Sequence, residues 1–131
     1  MARPRARLAV PAACALALAL VVAGALATRG GQPRATRAEG GRIAIAMRDF
    51  RFEPQRIRAR AGELTFEVHN RGRLAHTFRV RGEKGEVIKE PSLRPGERRT
   101  VTGRFSRGDY RIFDALSNYE ELGMYGTLVV R

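Results

Sequence analysis

Apolar and polar residues alternate through most of the chain that follows Arg42. The clearest segments carry their apolar or small residues at every second position: Ile43, Ile45 and Met47; Leu64, Phe66 and Val68; Val101, Gly103 and Phe105. A period of two is that of a β-strand with one buried face, and no segment after Arg42 keeps a helical period for long. The pattern therefore predicts an all-β domain.

Turn-forming residues separate these segments at short intervals. The turns are Pro54, Ala61-Gly62-Glu63, Asn70-Arg71-Gly72-Arg73, Leu93-Arg94-Pro95-Gly96-Glu97 and Gly108-Asp109. Short strands with Gly and Pro between them are typical of a β-sandwich. We expect about seven strands over residues 42–131, with a short helical turn between Asn118 and Leu122.

The N-terminal segment has the pattern of an export signal. Arg3, Arg5 and Arg7 precede an uncharged apolar run over residues 8–27, which ends in the small-x-small pattern of Ala25-Leu26-Ala27. This pattern predicts a signal peptide over residues 1–27. The run is also long enough for an uncleaved signal anchor, an N-terminal hydrophobic helix in the cytoplasmic membrane. Either interpretation places the domain outside the cytoplasm: periplasmic, cell-surface or secreted. Residues 28–41 resemble a flexible linker.

The charge balance is strongly basic, with 25 Lys and Arg residues against 13 Asp and Glu and a formal net charge of +12. All the basic residues except Lys84 and Lys89 are Arg. A basic surface attracts polyanions such as anionic lipid, envelope polymers or nucleic acid. A compositional bias towards Arg would give the same count without a function. We favour the bias because the arginines form no dense run, and we expect no nucleic-acid partner.

The sequence offers little to an enzyme. The single cysteine, Cys14, lies in the N-terminal apolar run, so residues 42–131 have no disulfide, thiolate nucleophile or Cys-based metal site. Only His69 and His76 could serve a nucleophilic triad, and the strand phase predicts that His69 is exposed. No Gly-rich phosphate loop opens a helix. We therefore expect a non-enzymatic domain.

Several short motifs, in their order and spacing, resemble the cupredoxin family of Greek-key β-sandwiches. They are Asp49-Phe50-Arg51-Phe52-Glu53-Pro54, Ala61-Gly62-Glu63, Asn70-Arg71-Gly72 with His76, Leu93-Arg94-Pro95-Gly96-Glu97, Gly108-Asp109-Tyr110 and Gly123-Met124-Tyr125-Gly126-Thr127-Leu128. Each motif is weak alone, but together they cover nearly all of residues 43–130. The resemblance implies a cupredoxin-like Greek-key fold.

The resemblance also implies positions for copper ligands, and two of these are replaced. His76 matches the first His of a blue-copper centre, and Met124 matches the axial Met. The second His would fall at Tyr119 and the Cys at Asp114. A blue-copper site depends on two His and one Cys with a distant axial thioether. The family's electron-transfer role is therefore not expected here.

The strand phase suggests what occupies the former copper position. His76 is in phase with Phe78 and Val80, and Asp114 with Tyr110 and Ile112, so both should point inward at one end of the sandwich. One hypothesis is a structural plug, in which Asp114 accepts a hydrogen bond or charge from His76 and the Tyr119 hydroxyl closes the group. The alternative is a Cu(II) or Zn(II) site made by His76, Asp114, Tyr119 and Met124.

We expect an exported binding or accessory module that has lost the blue-copper site. It would have no cofactor, and an unknown protein partner would dock at the Tyr119–Tyr125 end. The alternative is a remodelled copper(II)-binding protein that uses the four residues above. A third hypothesis is a basic domain that holds anionic envelope polymers or lipid. The membrane would be a further partner through residues 8–27 if the signal is not cleaved.

Overall fold

The computed structural model describes residues 34–131, which fold into ten β-strands with no α-helix among them. The strands are β1 (Thr36–Arg37), β2 (Arg42–Arg48), β3 (Arg51–Glu53), β4 (Arg56–Ala59), β5 (Gly62–Asn70), β6 (Arg79–Gly82), β7 (Gly85–Lys89), β8 (Arg98–Phe105), β9 (Gly108–Phe113) and β10 (Tyr125–Val130). The predicted all-β fold is confirmed. The predicted signal peptide or anchor, its hydrophobic helix and the first part of the predicted linker lie outside the described residues.

The strands form two sheets, one on each side of the core. The first has six strands in the order β1-β4-β10-β9-β6-β7, and the second has four in the order β3-β2-β5-β8. Both sheets are mixed, because β2 pairs in parallel with β5, and β4 pairs in parallel with both β1 and β10. Such crossovers between sheets bring loops from distant parts of the chain to one end of the sandwich.

The alternation predicted the buried face of most strands. In β2, Ile43, Ile45 and Met47 are at most 4% exposed while the residues between them face outward. The rings of Phe66 on one sheet and Phe78 beside the other pack with their centroids 5.3 Å apart. Full burial of each such side chain stabilises the fold by about 1.5–3 kcal/mol, so the alternating residues supply the core.

The structure has more strands than the alternation indicated. β7 forms a hairpin with β6 in which Gly82 pairs with Gly85, but only Ile88 of β7 is buried, so β7 has little apolar signal. β1 lies inside the predicted linker and pairs with β4 although both of its residues are exposed. Both strands are formed by backbone hydrogen bonds, so the pattern of apolar residues does not reveal either strand.

Candidate functional site

The predicted site residues meet at one end of the sandwich. We call this the His76 end and define it by the loops 49–50, 70–76 and 115–124. His76 precedes β6 and is held by two backbone hydrogen bonds with Leu93, of 2.8 and 3.1 Å. Asp114 directly follows β9, and its backbone N–H donates to the carbonyl of Met124 just before β10, at 3.1 Å. The strand ends therefore place these side chains.

His76 is buried and engaged on both ring nitrogens. Its side chain is 0% exposed, Nδ1 lies 2.8 Å from Oδ2 of Asp114, and Nε2 lies 2.7 Å from Oδ1 of Asp49. The Asp114 side chain is also 0% exposed, whereas that of Asp49 is 22% exposed at the rim. We call these three residues the carboxylate–histidine cluster.

Asp114 accepts more hydrogen bonds than the one from His76. Its Oδ1 accepts from the Thr77 hydroxyl at 2.6 Å, the Thr77 backbone N–H at 3.0 Å and the Leu116 backbone N–H at 3.0 Å. Burial alone would raise the pKa of the Asp114 carboxyl, but the hydrogen bonds from His76 and Thr77 help to lower it below its ordinary value. Asp114 is therefore an ionised carboxylate.

Asp49 closes the cluster from the turn between β2 and β3. Its carboxylate accepts from the backbone N–H of Arg73 at 2.8 Å and from that of Leu74 at 3.4 Å, as well as from His76. Burial alone would raise the pKa of Asp49, but these hydrogen bonds lower it. Asp49 thus joins the 70–76 loop to the buried histidine.

The geometry decides the protonation state of His76. A neutral imidazole has one N–H donor, and both nitrogens donate only in the imidazolium form. Burial alone would lower the pKa of His76, but the hydrogen bonds and charges of Asp114 and Asp49 raise it above its ordinary value. A buried cation is costly unless it is paired, and here it is paired on both sides. His76 therefore lies as an imidazolium between two carboxylates.

Aromatic rings and a glycine surround the cluster. The Phe50 ring meets His76 edge-on with the centroids 6.2 Å apart, and the Tyr119 ring lies 5.5 Å from His76 and 4.9 Å from Phe50. A Cβ on Gly72 would overlap Oδ1 of Asp49 and lie 3.0 Å from Nε2 of His76. Only glycine fits at position 72 without displacing the cluster.

Asn70 holds the 70–76 loop from beneath. It is 0% exposed, its side-chain N–H groups donate to the carbonyls of Leu74 and Leu93 at 2.8 and 2.9 Å, and its Oδ1 accepts from the Gly72 N–H at 2.9 Å. The loop is thereby fixed from inside by Asn70 and from outside by Asp49. His76 lies at the end of a preorganised loop.

The structure brings all four predicted site residues to one end, with differences in detail. His76 contacts Asp114 directly, and Met124, whose carbonyl accepts from the Asp114 backbone N–H, is fully buried. Tyr119 packs on His76 through its ring, and its hydroxyl is not among the hydrogen-bonding groups of the cluster, contrary to the expected closure. Asp49 takes the closing position.

Sequence reasoning missed Asp49 and Thr77 as members of the site. Thr77 lies between His76 and Phe78, so strict alternation would turn it outward, but it is 4% exposed because β6 begins only at Arg79 and the backbone before it is irregular. Asp49 was part of a fold motif, and nothing local marks it as a partner of His76. His69 is partly buried and its Nδ1 accepts from Nε of Arg71 at 3.1 Å, so it belongs to the surface of β5.

The donor set of residues 34–131 does not fit a blue-copper ion. This part of the chain contains no cysteine, and both ring nitrogens of its buried His76 are engaged by carboxylate oxygens, at 2.8 and 2.7 Å. No group of three or more His, Cys, Asp or Glu residues within this range is arranged to hold a metal ion. Within the same range, no helix has the length and apolar character needed to cross a membrane.

Family comparison agrees with this fold. The cupredoxin-like domain family matches residues 13–130, so the chain belongs to that family. No curated protein sequence matches the chain.

Solved structures with the same fold include copper proteins. The dithionite-reduced auracyanin of the photosynthetic bacterium Roseiflexus castenholzii is similar with a TM-score of 0.65 and 17% identity, over 72% of this chain and 98% of that one. Auracyanin A, a "blue" copper protein from Chloroflexus aurantiacus, has a TM-score of 0.57 and 17% identity, over 70% of this chain and 100% of its own. A multicopper oxidase has a TM-score of 0.57 and 17% identity, over 69% of this chain and 41% of its own. At such identities the likeness concerns the fold alone.

Proposed function

We propose that this protein is an exported, non-enzymatic binding or accessory module that keeps the cupredoxin scaffold and has lost the blue-copper site. The observation that carries the proposal is the double engagement of His76, whose Nδ1 and Nε2 lie 2.8 and 2.7 Å from carboxylate oxygens. An imidazolium has no lone pair to give to a metal ion. The salt-bridged carboxylate–histidine cluster would act as a structural plug in the place of the copper ion.

The residues at the other ligand positions support the same proposal. Asp114 stands where the resemblance implies the thiolate, and Tyr119 where it implies the second imidazole. Tuned one-electron transfer in blue-copper proteins depends on the copper–thiolate bond. Without that sulfur, the scaffold would serve to present a surface.

Exposed apolar residues at the His76 end supply a docking surface. Leu74 is 41% exposed on the 70–76 loop, Leu122 is 53% exposed on the 115–124 loop, and Tyr125 is 41% exposed where β10 begins. Apolar and aromatic anchors on rigid loops are typical of protein-binding surfaces. A protein partner would dock at the Tyr119–Tyr125 end, over the carboxylate–histidine cluster and outside the cytoplasm.

A remodelled copper(II)-binding protein is the second candidate, because His76, Asp114, Tyr119 and Met124 do lie together. Copper would need a deprotonated His76 and the loss of one of its carboxylate hydrogen bonds. Binding would therefore release a proton and strengthen as the pH rises.

Copper titration distinguishes the two candidates. Residues 32–131 form one compact unit and can be titrated with Cu(II) by calorimetry and electron paramagnetic resonance. The module proposal expects no tight one-to-one uptake. Micromolar one-to-one binding that is lost in His76→Ala and kept in the matched variant His69→Ala would overturn it in favour of the copper(II) protein.

Site-specific photo-crosslinking in the producing cell tests the docking surface. A photoreactive residue at position 122 should give a discrete adduct with one protein outside the cytoplasm. Val87, which is 40% exposed on β7, is a control site of similar exposure. Equal adducts at 87 and 122, or none at either, would contradict docking at the His76 end.

A further inference from the structure

Four arginines lie side by side at the β1–β4 edge of the six-stranded sheet. Arg56 and Arg58 point outward from β4, Arg60 follows at the next position of the same phase, and Arg37 of β1 pairs in register with Arg58. All four are exposed. Residues two apart on a strand are about 7 Å apart and neighbouring strands about 4.8 Å apart, so these charges form a compact group, the arginine row.

The arginine row differs from the other arginines on this sheet. Arg79 pairs with Glu86, Arg81 and Arg111 both bind Glu120, and Arg131 pairs with Asp109. Within residues 34–131, none of the four arginines in the row forms an ion pair. The row therefore concentrates positive charge that the described part of the domain does not neutralise.

Folding does not require arginine at these positions. The inward residues of β4 are Ile57, which is 1% exposed, and the partly buried Ala59, and these two supply the contact with the core. On β10 the residues in register with Arg56 and Arg58 are Thr127 and Val129. Neutral residues thus occupy the same face of the sheet on the neighbouring strand.

A dispersed excess of arginine would look different, as β8 shows. Arg98 and Arg104 face outward from β8, and Thr100 and Thr102 lie between them on the same face. Their Cα atoms are about 20 Å apart along the strand. The four arginines of the row have no such neutral spacing, so compositional bias alone does not account for their grouping.

The length of chain before β1 indicates which binding partner lies within reach of the arginine row. The uncharged apolar run ends at Ala27, and β1 begins at Thr36. The residues between them span at most about 30 Å even when fully extended. If the run is kept as an anchor, this short tether keeps the start of β1 within about 30 Å of the membrane surface.

We propose that the arginine row is a docking surface for anionic phospholipid headgroups on the membrane to which the chain is tethered. Each basic residue near an anionic bilayer raises the binding constant about fivefold at low salt, and the tether raises the local concentration of lipid. On docking, the outward face of β1 and β4 would contact the bilayer surface. This inference does not depend on the plug or on the partner at the His76 end.

The test uses the full chain reconstituted in nanodiscs, in a Cys14→Ser background so that one introduced cysteine carries a fluorophore. A label at Thr127→Cys lies beside the row, in register with Arg56, and a label at Thr100→Cys lies on the opposite sheet. Lipids with a quencher in the headgroup report proximity to the bilayer. The discs contain either phosphatidylcholine alone or phosphatidylcholine mixed with phosphatidylglycerol.

We expect quenching of the label at 127 only in discs with phosphatidylglycerol, and little at 100. Quenching should fall steeply between low and physiological salt. The triple variant Arg56→Gln, Arg58→Gln and Arg60→Gln should reduce the bound-to-free ratio about a hundredfold. The charge-matched control Arg98→Gln, Arg104→Gln and Arg107→Gln should keep the quenching.

Four results would overturn the proposal: quenching that is independent of phosphatidylglycerol, quenching that is insensitive to salt, quenching that is equal in the two triple variants, and no quenching at 127. Soluble polyphosphate is the probe for another anionic occupant. If polyphosphate binds the row tightly while the anionic discs give no quenching at 127, the surface serves a soluble polyanion and the membrane assignment is wrong. Circular dichroism of both triple variants verifies that they are folded.

Discussion

Replacing Asp114 by Ala should be among the most destabilising single substitutions at the His76 end. The change removes four hydrogen bonds, from His76, from two groups of Thr77 and from the Leu116 N–H. Because the Asp114 and His76 side chains are both 0% exposed, water does not replace the lost partner. Asp49 still pairs with His76 in this variant, so the cost comes mainly from the buried donors that lose their acceptor, at about 1–3 kcal/mol for each group left unsatisfied.

Asp114→Asn should cost less, because it preserves the shape and one oxygen. That oxygen can still accept from Thr77 and Leu116, and the new amide can donate to a neutral His76. The loss is then one charged hydrogen bond, which contributes about 1.5–3 kcal/mol. The expected order of stability is wild type, then Asp114→Asn, then Asp114→Ala.

These differences can be measured by urea unfolding of residues 32–131, monitored by circular dichroism. The measurement is made at about pH 6, which is below the ordinary pKa of histidine. The control is Asp109→Ala, whose ion pair with Arg131 has side chains 72% and 65% exposed. That exposed pair should contribute at most about 1 kcal/mol. A loss below about 1 kcal/mol in Asp114→Ala, or no greater loss than in Asp109→Ala, would refute the buried ion cluster.

The remaining predictions concern pH and the neighbours of the cluster. Because the pKa of His76 is raised in the folded state, its stabilisation is complete below the ordinary value of 6.5 and is lost as the pH rises through the folded value. The lowered pKa values of Asp49 and Asp114 have the opposite effect: their stabilisation is present above the ordinary value of 3.8 and is lost as the pH falls through the folded values. The free energy of unfolding should therefore be highest between these ordinary pKa values. If the stability of a His76→Gln variant still falls with rising pH above 6.5, a group other than His76 causes that fall. Gly72→Ala should destabilise by about 1–3 kcal/mol through overlap with Asp49, whereas Gly108→Ala meets only an ordinary contact of 3.6 Å, so equal urea midpoints would contradict the close packing. Thr77→Val should cost about 1–2 kcal/mol through the lost hydroxyl, and an unchanged midpoint would show that the hydroxyl is not needed.

Much of the fold was predictable from the sequence because its signal is local. Ile43, Ile45 and Met47 alternate with polar neighbours, and the pleat of a strand turns that alternation directly into one buried face. The inward phase of His76 and of Asp114 followed from the same rule, and both residues are buried. Where burial does not alternate, as in β1 and β7, the strands were not recognised.

The contacts within the site were decided by tertiary structure. His76 binds Asp49 across 27 residues of sequence and Asp114 across 38. Nothing in the spacing indicated that Asp49 would take the position expected for the Tyr119 hydroxyl, or that Thr77 would turn inward. A strand's period depends on its own residues, whereas the partner of a buried polar group depends on which loops the sheet order brings together. The sequence by itself therefore determined the sandwich and its core, and only the packed loops decided that His76 is held as a cation between two carboxylates.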